Sequence, residues 1–166
     1  MLLTIFLTIV FCAAVTLMLL SAVAFIQKRE LFSSAPREVR EVILPRENEL
    51  FAGARIIGWM LMIFSILMIL GVGIISIWDG FRSGFTFREF FTRFAVIFTV
   101  YKLYDMICFD YFLLMKYHFF QFFYPETKNA LLGRKYGFNI RSQLLKLLVI
   151  FPAASAIAAW ICSLIG

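Results

Sequence analysis

The chain has 166 residues, of which 63% are hydrophobic and only 16% are charged, and its mean hydropathy is +0.91. A soluble domain is about 25% charged, and a core of this size cannot bury so large an apolar excess. These values exclude a soluble globular domain and a disordered chain, and they indicate an integral membrane protein. The net charge of +6 is typical of contact with anionic lipid headgroups, and no motif indicates a nucleic-acid partner.

Four stretches of the chain are long and apolar enough to cross a bilayer, which requires about 20 residues of helix. We therefore predict an all-α membrane protein, a four-helix transmembrane bundle that forms a single domain over residues 1–166. The first stretch carries no charge and is followed at once by Lys28 and Arg29, so we interpret it as a retained helix rather than a cleaved signal peptide. The predicted spans are residues 2–26, 56–78, 94–115 and 147–165.

The basic residues are distributed unevenly among the loops between these spans. Loops 27–55 and 116–146 carry six Lys and Arg residues each, whereas residues 79–93 carry three, namely Arg82, Arg88 and Arg93. The positive-inside rule then places the two longer loops in the cytoplasm and both termini outside. We expect a multi-pass protein of the plasma (inner) membrane.

The two longer loops contain segments suited to the membrane surface. In the first loop, Val39, Val42 and Ile43 lie on one side of a short helix between Pro36 and Pro45, which predicts either an interfacial helix or a docking site for a partner. The third loop has six aromatic residues between positions 117 and 124, which favour the headgroup level. We predict that both segments lie along the cytoplasmic interface.

Beyond the aromatic segment the third loop is basic. Arg134, Lys135 and Arg141 are candidate contacts for a lipid headgroup or another anion. The positive-inside bias alone would also produce these charges, so the headgroup contact and a purely topological role both stay open. Anionic lipids at the cytoplasmic face are therefore one expected partner, and a partner subunit or a second copy of the chain is another.

The third predicted span contains Lys102, Asp105 and Asp110. Each charge at the centre of a bilayer costs about 2.5 to 3.5 kcal/mol, so this helix must face the protein interior. Counted as an α-helix, the three residues fall within an arc of about 140°. Lys102 can then form an ion pair with Asp105 one turn away. The residues three and four positions from Asp110 in the same helix are all apolar, so they offer its carboxylate no partner. We predict an intramembrane polar site at these residues, with Asp110 at the floor of a cytoplasm-facing cavity.

Signatures of enzyme chemistry and metal binding are missing from the sequence. Cys12, Cys108 and Cys162 lie in apolar stretches without metal-ligand spacing, and His118 has no visible nucleophile beside it. The angle of about 140° between Asp105 and Asp110 on an α-helix is also poor geometry for a shared proton or metal. We therefore predict no catalytic residue, no metal site and no cofactor.

Small residues indicate where the helices meet, because they let backbones approach closely. Such rows occur in the fourth span and at the start of the second, where they serve either packing within the bundle or self-association. Pro152 is expected to kink the fourth span, and Gly71 and Gly73 to loosen the second. The rows are Ala154 with Ala158, Ser155 with Ala159, Ala159 with Ser163, and Ala54 with Gly58.

Three functions follow from these features. The first is transport or binding of a proton, ion or small solute at Lys102, Asp105 and Asp110. The second is a non-catalytic membrane subunit or scaffold, in which the same charges specify assembly. The third is a lipid-modifying enzyme that uses Arg134 and Lys135 as headgroup ligands. The sequence favours the first and gives little support to an enzyme.

Overall fold

The computed structural model describes residues 1–32, 35–44, 46, 48–131 and 140–165, and within these ranges the chain is helical with no strand. The all-α prediction is confirmed. Helices α1, α4 and α7 each continue directly into a π-helix, and short 3-10 turns lie in the connecting segments. The α-helices are α1 (Leu2–Leu20), α2 (Arg37–Val42), α3 (Ala54–Arg82), α4 (Phe87–Tyr104), α5 (Phe119–Phe123), α6 (Lys128–Leu131), α7 (Ile140–Leu145) and α8 (Phe151–Ile165).

Three helical stretches are long and apolar enough to cross a membrane, namely Leu2–Ile26, Ala54–Arg82 and Ile140–Ile165. They confirm the prediction of a membrane protein and correspond to the first, second and fourth predicted spans. The third predicted span is also helical, formed by α4 and the following π-helix, but it is not one of these candidates. Its charged residues lower its hydropathy, so length and composition establish three candidate spans and not a four-helix transmembrane bundle.

The connection between α3 and α4 is shorter than the sequence indicated. Helix α3 runs to Arg82 and α4 begins at Phe87, so only residues 83–86 separate them. The early start of α4 has a local cause, because the backbone N–H and the hydroxyl of Thr86 both donate to the Glu89 carboxylate at 2.8 Å. Arg88 and Arg93 therefore belong to a helix and not to a loop.

Three segments adopt π-helical hydrogen bonding: Ser21–Ile26, Asp105–Lys116 and Lys146–Ile150. The last has a clear cause in Pro152, which has no N–H and whose ring displaces the carbonyl of Leu148, four residues earlier. The Phe151 N–H accordingly bonds to the Lys146 carbonyl, five residues back. The expected effect of Pro152 thus takes the form of a π-helical turn before α8, whereas Gly71 and Gly73 lie inside an uninterrupted α3.

The backbone divides into two compact units. The first comprises Met1–Val15, Ile66–Tyr104 and Arg141–Gly166, and the second comprises Thr16–Ser65 and Asp105–Ile140. In the first unit, α8 packs along α4, with Ala159 and Cys162 against Phe90 and Phe94. Ser155 and Ala159 are both fully buried, which agrees with the small-residue row predicted there.

In the second unit, the start of α3 lies against the π-helical end of the first span. The Ser21 hydroxyl donates to the Gly58 carbonyl at 2.6 Å, and Ala54 is fully buried. A Cβ atom at Gly58 would lie 2.7 Å from Ile26 Cγ1 and 2.8 Å from Phe25 Cβ. The sequence predicts a helix contact at Ala54 and Gly58. At Gly58 only glycine permits the backbones to approach so closely.

The described residues of 29–46 and 118–131 form a packed layer in the second unit, which we call the cap. Val39 and Ile43 from α2 share a buried cluster with Phe120, Tyr124 and Leu131. Val39 and Ile43 of the predicted interfacial helix are therefore covered by the aromatic segment of the third loop, whereas Val42 is 38% exposed. The two loops thus pack against each other, and the expected position of both segments along the cytoplasmic interface stays a prediction.

An ion pair joins the two segments of the cap, residues 29–46 and 118–131. Arg46 Nη2 donates to both oxygens of the Glu126 carboxylate, at 3.1 and 2.9 Å, and to the Phe123 carbonyl at 3.1 Å. The Leu44 N–H also donates to Glu126, at 3.2 Å. Below this pair, burial raises the pKa of the Tyr124 phenol above its ordinary value. The cap is thus stabilised by the burial of apolar side chains and by the ion pair of Arg46 with Glu126, which includes two hydrogen bonds.

We predict that Gly58→Ala destabilises the protein and that Gly71→Ala does not. The added methyl at Gly58 must displace Ile26 or Phe25, which costs about 1 to 3 kcal/mol. A Cβ atom at Gly71 meets no described atom within 4 Å, so alanine there stabilises the helix by about 0.5 to 1 kcal/mol. Thermal unfolding midpoints of both variants in the same detergent measure the difference, and equal midpoints would contradict the close contact.

Candidate functional site

The three predicted polar residues lie where α4 passes into a π-helix. Lys102 is in the last turn of α4 and is only 4% exposed. Asp105 begins the π-helix Asp105–Lys116, and both Asp105 and Asp110 are half-buried. The chain therefore keeps all three charged side chains largely away from its surface, as their solvation cost demands.

The π-helix changes the geometry of the two carboxylates. A π-helical hydrogen bond joins residues five apart, as in the bond of 2.8 Å from the Tyr117 N–H to the Phe112 carbonyl. The two buried residues of this segment, Phe109 and Leu114, are also five apart. Asp105 and Asp110 have the same separation of five residues, so π-helical hydrogen bonding favours a smaller angle between them than an α-helix does. The angle of about 140° assumes an α-helix, whereas this segment has π-helical hydrogen bonding.

Asp110 lines a cavity of about 210 Å³ in the second unit. The other described residues around it are Met106, Ile107, Tyr111 and Ile140, so its walls are almost entirely apolar. The volume is sufficient for several water molecules. A carboxylate that borders such a space is chemically able to take up a proton or to bind a cation. Neither Lys102 nor Asp105 is among the described residues that line this cavity.

A second buried charge, which the sequence did not single out, is Arg93 in the first unit. It is 5% exposed, and its Nη2 lies 2.7 Å from Asp79 Oδ2. Its Nη1 donates to the Ser76 carbonyl at 3.0 Å, and the guanidinium carbon lies 4.3 Å from the centre of the Phe85 ring. This arrangement ties the end of α3 to α4 through one side chain.

Sequence reasoning missed Arg93 because it assigned residues 79–93 to a loop. A signal was nonetheless present, since Phe90, Phe94 and Ile97 recur at helical spacing around it and are all buried. A helix that begins before residue 90 places Arg93 on that buried side. Arg93 also lines a cavity of about 310 Å³ together with Thr4, Glu89 and Thr92, among others.

The remaining sequence candidates give no second site in the described chain. Arg134 and Lys135 lie outside the described residues, and Arg141 is exposed on α7. His118 is exposed and adopts a left-handed conformation with φ of 52°, at the turn before α5. Cys12, Cys108 and Cys162 are not joined in disulfides, and the described residues contain no group of three His, Cys, Asp or Glu that could hold a metal ion.

Comparison with known proteins adds no assignment: no protein-family model, no curated protein and no solved structure matches this chain.

We predict that Asp79→Asn destabilises the protein by about 3 kcal/mol, because it leaves the buried Arg93 without its charge partner. Adding Arg93→Met to this variant removes the uncompensated charge and should restore much of the lost stability. Arg88→Gln, at an exposed position of the same helix, should have little effect. Unfolding free energies in one detergent test the pair. A double variant no more stable than Asp79→Asn would contradict the claim that the uncompensated charge of Arg93 causes the loss of stability.

Proposed function

We propose that the stretch Phe87–Lys116 is a fourth membrane span, which gives a four-helix transmembrane bundle with both termini outside a plasma (inner) membrane. The stretch contains the 18 residues of α4 followed by the 12 residues of the π-helix, which is long enough to cross. Burial of Lys102 and Arg93 supports this proposal, because it shields two charges that would oppose insertion. The positive-inside bias of the two longer loops supports the orientation.

Within this arrangement the protein binds and moves a proton or a small cation at Asp110. The single observation that carries this function is the cavity of about 210 Å³ that Asp110 lines in a π-helical segment. π-Helical segments occur frequently at functional sites, and an ionisable residue within a membrane is costly unless it serves a purpose. That Lys102 and Asp105 set the local field stays a prediction from the sequence.

A carboxylate suits this role chemically. It accepts a proton directly, and its two oxygens coordinate a small hard cation whose remaining shell is water. Met106, Ile107 and Ile140 contribute apolar walls to this cavity, and water admitted with the ion would supply its remaining ligands. Tyr111, with 46% of its surface exposed, is a further lining residue of the same cavity.

A second candidate function is that of a non-catalytic membrane subunit. Only 17% of the most apolar window of Ile140–Ile165 is buried inside the chain. Lipid covers such a face in a lone protein, and helices of a partner or of a second copy cover it in a complex. A complex that survives purification in mild detergent supports the subunit. Contact of Arg134, Lys135 and Arg141 with anionic lipids at the cytoplasmic face stays a prediction in either case.

We predict charge-dependent flux through the purified protein in liposomes. A pH-sensitive dye inside the vesicles, with an imposed potassium gradient and valinomycin, reports proton movement, and alkali-ion tracers report cation movement. Asp110→Asn should reduce the flux at least tenfold, because the amide cannot take up a proton or balance a cation.

Glu38→Gln is the matched control, since it removes one carboxylate from an exposed position of α2 and should leave the flux unchanged. Thermal unfolding of both variants shows that they are folded. Absence of flux under every gradient, or full flux in Asp110→Asn, would overturn the proposed transport.

A further inference from the structure

A basic groove lies in the first segment of the cap, within residues 29–46. Its described lining consists of Arg29, Arg37 and Arg40 with Glu30 and Glu41, around a cavity of about 440 Å³. Three guanidinium groups therefore face two carboxylates, which leaves an excess of one positive charge. Guanidinium groups present planar, paired donors that match the oxygens of a phosphate.

The carboxylates neutralise these arginines only weakly. The ion pair of Arg37 with Glu41 has an Nε to Oε1 distance of 3.9 Å, and the two side chains are 86% and 63% exposed. An exposed pair at this distance contributes little, so Arg37 is available to a stronger partner. Arg40 Nε is buried and has no hydrogen-bond partner in the described part of the chain. A buried donor without a partner is costly, and an incoming acceptor would remove that cost.

The groove is held in place by the packing of the cap. Phe32, at the end of the 3-10 turn that begins with Arg29, stacks edge-on against Phe120 and Tyr124 at centroid distances of 5.3 and 5.2 Å. Val39 anchors α2, which carries Arg37 and Arg40, in the same buried cluster. The arginines thus project from two anchored segments, and a ligand would not have to order the backbone before binding.

The position of the groove relative to the first candidate span indicates its ligand. That span ends at Ile26, and the chain turns at Gln27, which has a left-handed φ of 54°. Arg29 follows within three residues, a distance that keeps it at the level of the lipid headgroups. Phosphate groups of anionic lipids are concentrated at that level.

We propose that the groove of Arg29, Arg37 and Arg40 binds the phosphate group of an anionic phospholipid. A phosphate is the shared chemistry of such a lipid and of a soluble phosphate ester, and the position beside the span favours the lipid. The proposal needs the first span in a membrane but does not depend on transport at Asp110. It also concerns residues other than Arg134, Lys135 and Arg141.

Stabilisation of the full-length protein by added lipid tests the proposal. In a neutral detergent, the unfolding midpoint is followed while short-chain phosphatidic acid is added, with short-chain phosphatidylcholine as the neutral lipid and glycerol 3-phosphate as the soluble phosphate. We expect phosphatidic acid alone to raise the midpoint in a saturable way. An equal rise with glycerol 3-phosphate would overturn the lipid assignment.

Arg40→Gln and Arg37→Gln should each weaken the apparent affinity for phosphatidic acid at least tenfold. Arg37 is largely exposed, so its variant keeps the fold even if Arg40→Gln does not. Arg88→Gln makes the same charge change at an exposed site outside the cap and should leave the affinity unchanged. Equal losses in Arg37→Gln and Arg88→Gln would show general electrostatic attraction, and no loss in Arg37→Gln would likewise overturn the site.

Discussion

The cost of taking a charge out of water is the constraint on which the rest of this structure depends. The chain is apolar along most of its length, yet it buries Arg93 and Lys102 almost completely. Arg93 meets this cost with the carboxylate of Asp79, the carbonyl of Ser76 and the face of Phe85. That arrangement requires α4 to begin before Arg93, because a start after this residue would leave Arg93 in a loop and its charge without these partners.

The cost of burying a charge also applies to the segment after α4. This segment contains Asp105 and Asp110 and has π-helical hydrogen bonding. Asp105 and Asp110 are five residues apart, as are the buried Phe109 and Leu114, which is the spacing of π-helical hydrogen bonds. The cavity that Asp110 lines lies beside this segment. An α-helix through the same residues would spread the two carboxylates over different faces. The proposed ion site is thus a consequence of backbone register as much as of residue type.

The sequence was informative where one segment determines its own structure. Helical character, three candidate spans and the close contacts at Gly58 and Ser155 all follow from local patterns of apolar and small residues. It was uninformative where two distant segments decide the outcome together. The cap required knowledge that Val39 meets Tyr124, and the pair of Arg93 with Asp79 spans a turn whose length the charges obscured. The π register was equally hidden, because a helical wheel assumes the α period.

The central claim is that water reaches the side of the π-helix that carries Asp110, and the most direct measurement is the labelling of a cysteine placed there. Met106→Cys, in a chain without the three native cysteines, puts a thiol in the wall of the cavity and keeps every charge. Val149→Cys, on the exposed apolar face of the last candidate span, is the matched lipid-facing control. Rapid modification of the first thiol and not the second, by a small charged reagent applied to the membrane-embedded protein from the cytoplasmic side, is the predicted result. Failure of both thiols to react in the folded protein would contradict a hydrated site.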